Sequence, residues 1–333
     1  MIKSLSLKNL GPISHFECNS LGRINLIIGP NQSGKTFLLK ALYAALKTIE
    51  QYKRGKENRT DKEILSDKLY WTFQTESLGN IVKKGESSFS FSMKSSKGEQ
   101  FSFSFGPSTT KKTSVDTNTF SQTDSNVVFI PAKEIISIRD IIIDLRERAE
   151  FGFEEPYSDL AKSLKKAYKG RNYKAFSDAR QNIVDMIGGR LEYDETKKEW
   201  LFRDSKRKVY EVSSTSEGVK KISIIDVLLG NHYLDNQSII IIDEIEANLH
   251  PAMITRFLET IKMLADAGLQ FYISSHSYFV IKRLYVMAHR YNMSIPVLSF
   301  DNGFCNISNL CDEMPKNSII DESIALYRDE ISL

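Results

Sequence analysis

The residues with the clearest chemistry lie between Ile24 and Leu46, where the sequence reads INLIIGPNQSGKTFLLKALYAAL. Gly29 to Thr36 fit the spacing G-x-x-x-x-G-K-T, with an apolar run before them and a helical pattern after them. Two glycines allow the tight curl that turns backbone N–H groups toward phosphate oxygens. A glycine turn before an ordinary amphipathic helix is the alternative, but both flanks favour a phosphate-binding loop. The sequence therefore predicts that the chain binds a nucleoside triphosphate.

Each part of this loop has an expected role. The Lys35 ammonium would reach the β- and γ-phosphates, and the Thr36 hydroxyl would take a place on Mg²⁺. The helix that begins near Lys35 would add the positive end of its dipole. The residues predicted to bind the nucleotide here are Gly29, Pro30, Asn31, Gln32, Ser33, Gly34, Lys35 and Thr36.

Two acidic residues follow a run of four isoleucines, Ile239 to Ile242. Such a run is typical of a buried strand, and α/β sheets bind ligands beyond the carboxyl ends of their strands. Asp243 is therefore expected to hold Mg²⁺, directly or through water. Glu244 is expected to orient or deprotonate the attacking water, because phosphoryl transfer relies mainly on positioning and charge stabilisation.

Two further candidate positions have more than one interpretation. His276 follows the next predicted strand, where its side chain could reach a γ-phosphate, although a lone histidine is usually structural. Ser216 and Gly218 lie in the polar segment SSTSEG before a helical pattern, which could bind an anion. An ordinary helix start capped by Ser216 is the explanation that this segment favours on its own.

The composition limits the class of protein. The chain has 333 residues, 41% of them hydrophobic, which suits one large domain or two smaller ones. Lys plus Arg (45) nearly balance Asp plus Glu (42), so the net charge of +3 neither requires nor excludes nucleic acid. Three cysteines without C-x-x-C suggest neither a disulfide framework nor a zinc site. With no signal peptide or membrane-length apolar run, we expect a cytoplasmic location and no membrane contact.

The remaining patterns indicate alternating strands and helices. Phe and Ser alternate on both sides of Lys97-Gly98, which predicts a hairpin in a satellite sheet beside the nucleotide core. Residues 107–126 are low in apolar content and are expected to form a mobile loop. Residues 50–67 are expected to form a surface helix or loop. After His276, a hairpin with an Asn302-Gly303 turn and a short helix near 324–326 are predicted.

Residues 162–180 are locally basic and are interleaved with aromatic residues. A surface for nucleic acid or an acidic partner is one interpretation, and a solvated helix face is the more ordinary one. A second basic cluster is Lys206-Arg207-Lys208. The basic residues of the first segment are Lys162, Lys165, Lys166, Lys169, Arg171, Lys174 and Arg180, and its aromatic residues are Tyr168, Tyr173 and Phe176.

In order, the segments GPNQSGKT, TSEGVKK, IIIIDEIEANLHP and ISSHS resemble the motifs of an ABC-type ATPase. The chain is most similar to the OLD-like (AAA-15/AAA-21) branch, in a stand-alone form without a Toprim domain, and SMC and RecF proteins are more distant. The resemblance implies an α/β P-loop NTPase fold of ABC-ATPase type, with a mixed central sheet, an antiparallel β subdomain and a helical lobe. The implied domains are an N-terminal part of the core with the β subdomain at 1–139, the helical lobe with a hairpin at 140–212, and a C-terminal part of the core at 213–333.

The resemblance also implies a role for each motif. Gly29 to Thr36 would be the Walker A loop, Asp243 the Walker B aspartate, Glu244 the catalytic glutamate and His276 the switch histidine. Thr215 to Gly218 would be the signature, with Ser216 and Gly218 facing the γ-phosphate of a second subunit. This signature departs from Leu-Ser-Gly-Gly-Gln in its Thr, Glu and Val. Glu246–Pro251 would be the D-loop, and Pro131–Glu134 occupies the Q-loop position without a glutamine.

The implied activity is Mg²⁺-dependent ATP hydrolysis with Lys35, Glu244 and His276 as catalytic residues, ATP and Mg²⁺ as cofactors, and a homodimer or higher homo-oligomer as the working form. Because the segment after His276 is too short for a Toprim domain, the expected effector is a separately encoded nuclease or toxin of a prokaryotic anti-phage system. The alternative is a RecF-like DNA repair or recombination ATPase that binds DNA directly through residues 162–180. A membrane-transport ATPase subunit is a third alternative, which the altered signature and the Ser/Phe hairpin disfavour.

Overall fold

The computed structural model describes residues 1–165 and 173–333, and it divides the chain into two units. The first unit combines Met1–Val127 with Tyr272–Leu333, and the second unit is Val128–Phe271. Within the described ranges, no helix combines the length and the apolar character that crossing a membrane would need.

The first unit contains a mixed sheet. Its strands lie in the order β6-β5-β4-β1-β2-β14-β13-β3, with β3 parallel to β13 and β2 parallel to β14. The other neighbours in this order are antiparallel, and all of them except β1 and β4 are consecutive strands. The strands are β1 (Ile2–Leu10), β2 (Ile13–Cys18), β3 (Ile24–Ile28), β4 (Phe89–Ser95), β5 (Gln100–Phe105), β6 (Thr117–Asn118), β13 (Pro296–Asp301) and β14 (Phe304–Asn309).

The Ser/Phe hairpin is part of this sheet, which corrects the prediction of a satellite sheet. β4 pairs with β1, with Phe91 opposite Leu7, and both side chains are buried. The alternation places every second residue on the core face, where Phe89 and Phe105 meet with ring centroids 5.0 Å apart. An alternating pattern identifies the hairpin but not the strand that pairs with its edge.

Residues 107–126 also differ from the expected mobile loop. Their strand β6 pairs with β5, and the backbone carbonyls of Thr109 and Thr110 accept hydrogen bonds of 2.7 Å from the N–H groups of Gly79 and Leu78. Thr113 is only 4% exposed. The segment is therefore held by backbone hydrogen bonds, which low apolar content does not reveal.

One helix of the first unit, α2 (Asp61–Phe73), begins within residues 50–67, which were predicted to form a surface helix or loop. Residues Thr60 and Glu63 form a capping box, and Ile64, Leu65 and Leu69 of the helix that follows are fully buried. The predicted short helix near 324–326 is 14 residues long. These helices are α1 (Lys35–Gln51), α2 (Asp61–Phe73), α8 (Tyr278–Tyr291) and α9 (Ser318–Ile331).

The second unit contains the helical segment, the antiparallel strands β8-β9-β10, and the acidic strand. Helix α6 carries the buried Asp226, whose carboxylate accepts a 2.8 Å hydrogen bond from Arg180 of α5. The elements are β7 (Val127–Ile130), α3 (Arg139–Glu147), α4 (Glu155–Lys165), α5 (Lys174–Ile187), β8 (Gly189–Asp194), β9 (Glu199–Asp204), β10 (Val209–Glu211), α6 (Glu217–Gly230), β11 (Ile239–Ile242) and α7 (Pro251–Asp266). Strand β12 (Gln270–Ser275) crosses the boundary between the two units.

Candidate nucleotide-binding and hydrolysis site

The loop Gly29–Thr36 joins β3 to α1 within the first unit, and its two glycines are required by geometry. Gly29 and Gly34 have φ angles of 153° and 104°, which side-chain-bearing residues rarely adopt. A Cβ at Gly34 would lie 2.5 Å from Cγ1 of Ile13, and one at Gly29 would lie 2.6 Å from the carbonyl oxygen of Phe300. The loop can therefore keep this curl only with glycine at both positions.

The polar groups of this loop suit an anion. The Lys35 ammonium donates hydrogen bonds of 2.7 and 2.9 Å to the carbonyl oxygens of Gly29 and Pro30, so it is held inside the loop. Ser33 Oγ is buried and has no hydrogen-bond partner among the described residues. Helix α1 begins directly after Gly34, so its first N–H groups are at the loop as well. A buried ammonium, an unpartnered hydroxyl and a helix N-terminus fit a bound phosphate chain.

His276 also belongs to the first unit. It is exposed and lies between the end of β12 and the start of α8. On either side of it, Ser275 Oγ accepts a 3.0 Å hydrogen bond from the Ser277 N–H. Among the predicted site residues, the phosphate-binding loop and His276 are thus in the first unit, and the others are in the second.

Asp243 and Glu244 form the turn that ends β11 in the second unit. The Asp243 N–H donates a 2.9 Å hydrogen bond to the Ile130 carbonyl, which joins this turn to the end of β7. Glu244 has a φ of 47°, a left-handed conformation that costs a residue with a side chain about 1–3 kcal/mol. Burial raises the pKa of Tyr157 above its usual value, and the carboxylates of Glu154, Asp243 and Glu244 raise it further. The acidic turn is therefore strained and lies close to α4.

Lys221 stabilises this turn, a role that the sequence motifs do not predict. Its ammonium is nearly fully buried and donates hydrogen bonds of 2.6 Å to the Glu244 carbonyl and 3.3 Å to the Asp243 carbonyl. Burial lowers the pKa of Lys221 to about 8, while the nearby carboxylates of Glu246, Asp243 and Glu244 act in the opposite direction. The signal available in the sequence was the second lysine of TSEGVKK.

The neighbouring Lys220 makes a similar connection to the loop after β7. It is 6% exposed, and its ammonium donates a 2.8 Å hydrogen bond to Ser137 Oγ and lies 3.9 Å from the Glu134 carboxylate. Glu134 belongs to the segment expected at the Q-loop position. The start of α6 therefore ties down the loops after two strands, β7 and β11.

The predicted signature residues differ in their surroundings. Ser216 is exposed and caps α6, since its Oγ accepts a 3.4 Å hydrogen bond from the Val219 N–H. Gly218 is buried, and a Cβ there would lie 2.3 Å from the carbonyl oxygen of Asn248, in the predicted D-loop. Gly218 therefore allows a close approach within its own chain, while Ser216 remains at the surface.

The basic segment 162–180 is only partly described. Lys166, Tyr168, Lys169 and Arg171 lie outside the described residues. Lys165 is exposed with its ammonium 4.4 Å from the centre of the Tyr193 ring. Arg180 is paired with Asp226 inside the unit, so it is a structural cation. Among the described residues of the two predicted basic clusters, the exposed basic ones are Lys162, Lys165, Lys174, Lys206, Arg207 and Lys208.

Replacing Gly34 with alanine is expected to destabilise the protein and to abolish nucleotide binding. The new methyl group would clash with Ile13, and the alanine would have to keep the positive φ of Gly34. Gly98→Ala is the matched control, because Gly98 has a φ of 81° but no atom within 4 Å of the added Cβ. We expect the control to cost about 1–2 kcal/mol and to bind nucleotide normally. Thermal melts and titration with a fluorescent ATP analogue measure both effects, and equal nucleotide binding by the two variants would contradict this account.

Comparisons with known proteins give a family match and similar solved structures. A family model described as "AAA domain, putative AbiEii toxin, Type IV TA system" (AAA_21) matches residues 24–282, more than three quarters of the chain. An SMC head solved with the C-terminal winged-helix domain of ScpA is 14% identical, covers 92% of this chain and 97% of its own, and has a TM-score of 0.53. An SMC head domain from Thermotoga maritima is also 14% identical, covers 92% of this chain and 98% of its own, and has a TM-score of 0.48. No curated protein matches the chain.

The family match and the first SMC head confirm the predicted α/β P-loop NTPase fold of ABC-ATPase type. The similarity to the first SMC head supports the fold, and at 14% identity it supports the fold alone. The family match includes the phosphate-binding loop, α6, the acidic turn and His276. The chain belongs to the AAA_21 family of P-loop ATPases.

Proposed function

We propose that this chain hydrolyses ATP with Mg²⁺ and that two copies close around the nucleotide to form a switch. The observation that carries the proposal is the phosphate-binding loop, in which Lys35, the unpartnered Ser33 hydroxyl and the start of α1 converge. These groups suit the phosphates of a nucleotide.

In this proposal the residues of the chain share the work of hydrolysis. Lys35 would exchange the carbonyls of Gly29 and Pro30 for β- and γ-phosphate oxygens. Thr36 and Asp243 would hold Mg²⁺, which neutralises charge on the phosphates when it is bound. Glu244 would accept a proton from the attacking water as the water oxygen bonds to the γ-phosphorus. The bond from that phosphorus to the bridging oxygen breaks, and ADP and phosphate leave. His276 would donate a hydrogen bond to the γ-phosphate.

Lys221 would act as a positioning residue for Glu244. Its two hydrogen bonds hold the carbonyls of the acidic turn, which keeps Glu244 in its strained left-handed conformation. The same helix presents Ser216 at the surface, where it could meet the γ-phosphate bound by a second copy. Ser216 and Lys221 are at the start of one helix. A contact between Ser216 and the second copy would therefore shift Lys221 and, through its hydrogen bonds, the acidic turn.

The biological role that we propose is the ATPase component of a prokaryotic anti-phage system, of OLD-like type, with a separately encoded nuclease or toxin as its effector. The family description names an AbiEii toxin and a type IV toxin–antitoxin system. This supports a role in a system that includes a toxin. Tagged protein should recover a nuclease or toxin from its native host, and the recovery should differ between ATP-loaded and nucleotide-free protein. If no effector is recovered in either state, the defence role fails and the ATPase assignment is unaffected.

A further inference from the structure

Helix α9 presents an apolar stripe that is covered only at its beginning. Ile320, Ile324, Tyr327 and Ile331 are spaced by four, three and four residues, which places all four on one face of a helix. Ile320 is 7% exposed, whereas Ile324, Tyr327 and Ile331 are 43%, 62% and 68% exposed. The stripe therefore continues beyond the part that its own unit covers.

The N-terminal end of α9 is firmly attached to the first unit. Asn317 caps the helix by accepting a 3.0 Å hydrogen bond from the Ile319 N–H, and its amide donates a 2.9 Å hydrogen bond to Ser299 of β13. From Glu322 onward, every residue except the half-buried Ser323 is exposed. The helix is thus held at its base and exposed along most of its length, as an association element would be.

The stripe and its flanking charges are complementary to a second copy in the opposite direction. In an antiparallel pair, Ile324 would face Tyr327 of the second copy, and Ile320 would face Ile331. Asp321 and Arg328 flank the stripe on the same side, seven residues apart. Each Asp321 would therefore lie beside Arg328 of the second copy, which gives two symmetric ion pairs.

On the opposite flank of the stripe, the antiparallel arrangement brings no like charges together. It carries Ser323 and Glu330, and the antiparallel arrangement places Glu330 beside Ser323 of the second copy instead of beside another carboxylate. The remaining acidic residues, Glu322 and Asp329, are on the side away from the stripe. Both flanks of the helix therefore accept a copy of itself without opposing like charges.

We propose that α9 pairs antiparallel with α9 of a second copy, independently of nucleotide. The stripe shares no residue with the proposed nucleotide-dependent closure, so its pairing can be measured without nucleotide. If both operate, closed dimers can be linked through α9 into larger assemblies.

Light scattering without nucleotide tests the apolar part of this proposal. Ile324→Glu places a charge in the centre of the stripe and is expected to weaken the dimer by at least about tenfold. Leu326→Glu is the matched control, because Leu326 is 70% exposed on the same helix but points away from the stripe. The control should dimerise like the unaltered chain. A chain that stays monomeric at high micromolar concentration without nucleotide would overturn the proposal.

Exchanging the charges identifies the partner. Asp321→Arg or Arg328→Asp alone should weaken the dimer, because each creates a like-charge pair across the helices. The double variant Asp321→Arg/Arg328→Asp should restore the dimer, since it recreates both ion pairs with reversed polarity. A double variant as weak as the single ones would show that these charges do not meet across an antiparallel pair, and the proposal would fail.

Discussion

Replacing Glu244 with glutamine is expected to lower ATP turnover by about 10²–10⁴-fold while ATP binding persists. Glutamine has the same shape and can keep the left-handed backbone of this position, but it cannot accept the proton of the attacking water. Hydrolysis would stop with the triphosphate in place, and the closed dimer should accumulate. Phosphate release measures the turnover, and light scattering with and without ATP measures the dimer.

Two variants make this experiment specific. Glu195→Gln changes an exposed carboxylate in the turn between β8 and β9 and should leave turnover unchanged. Lys35→Ala should fail to bind ATP, so it should show neither turnover nor ATP-dependent association. These measurements use the nucleotide-dependent change in mass, which separates closure from any association through α9. A Glu244→Gln protein that is loaded with ATP but shows no increase in mass would contradict the shared site.

Replacing Lys221 with methionine is expected to reduce kcat by about 10–100-fold with little change in ATP affinity. Methionine has a similar length but leaves the buried carbonyls of Asp243 and Glu244 without their ammonium donor. The acidic turn could then relax from the strained φ of Glu244, and the carboxylate would lose its position. Steady-state kinetics and ATP titration give kcat and affinity separately.

Lys221→Arg distinguishes positioning from simple destabilisation. A guanidinium can donate to both carbonyls, so this variant should recover part of the lost kcat. Lys208→Met, at an exposed position, is the control and should behave like the unaltered chain. If Lys221→Met lowers kcat no more than its loss of folded protein explains, or if arginine gives no recovery, Lys221 has no positioning role.

The parts of the fold that were predictable from sequence depend on local spacing. The phosphate-binding loop, the four-isoleucine strand and the cap at Ser216 are each specified by residues within one or two turns of chain. The Asn302-Gly303 turn belongs to the same class, since both residues have the positive φ angles that this dipeptide favours. These elements occur where the sequence predicts them.

The contact made by Lys221 could not be predicted in this way. It joins residues that are 22 positions apart, and a lysine in a polar motif gives no sign that its ammonium will be buried. The pairing of β4 with β1 was missed for the same reason, because a hairpin pattern specifies its own turn and not its neighbour. Non-local contacts of this kind depend on how the elements pack, and composition does not encode them.

Helix α6 has a consequence for timing. Its exposed cap and its buried lysine are five residues apart, and a short stretch of helix transmits displacement with little bending. If the nucleotide bound by a second copy pulled on Ser216, the proposed catalytic carboxylate of Glu244 would move with it. Two such pockets would then act in concert, and the release of one product would set the moment at which the other is formed.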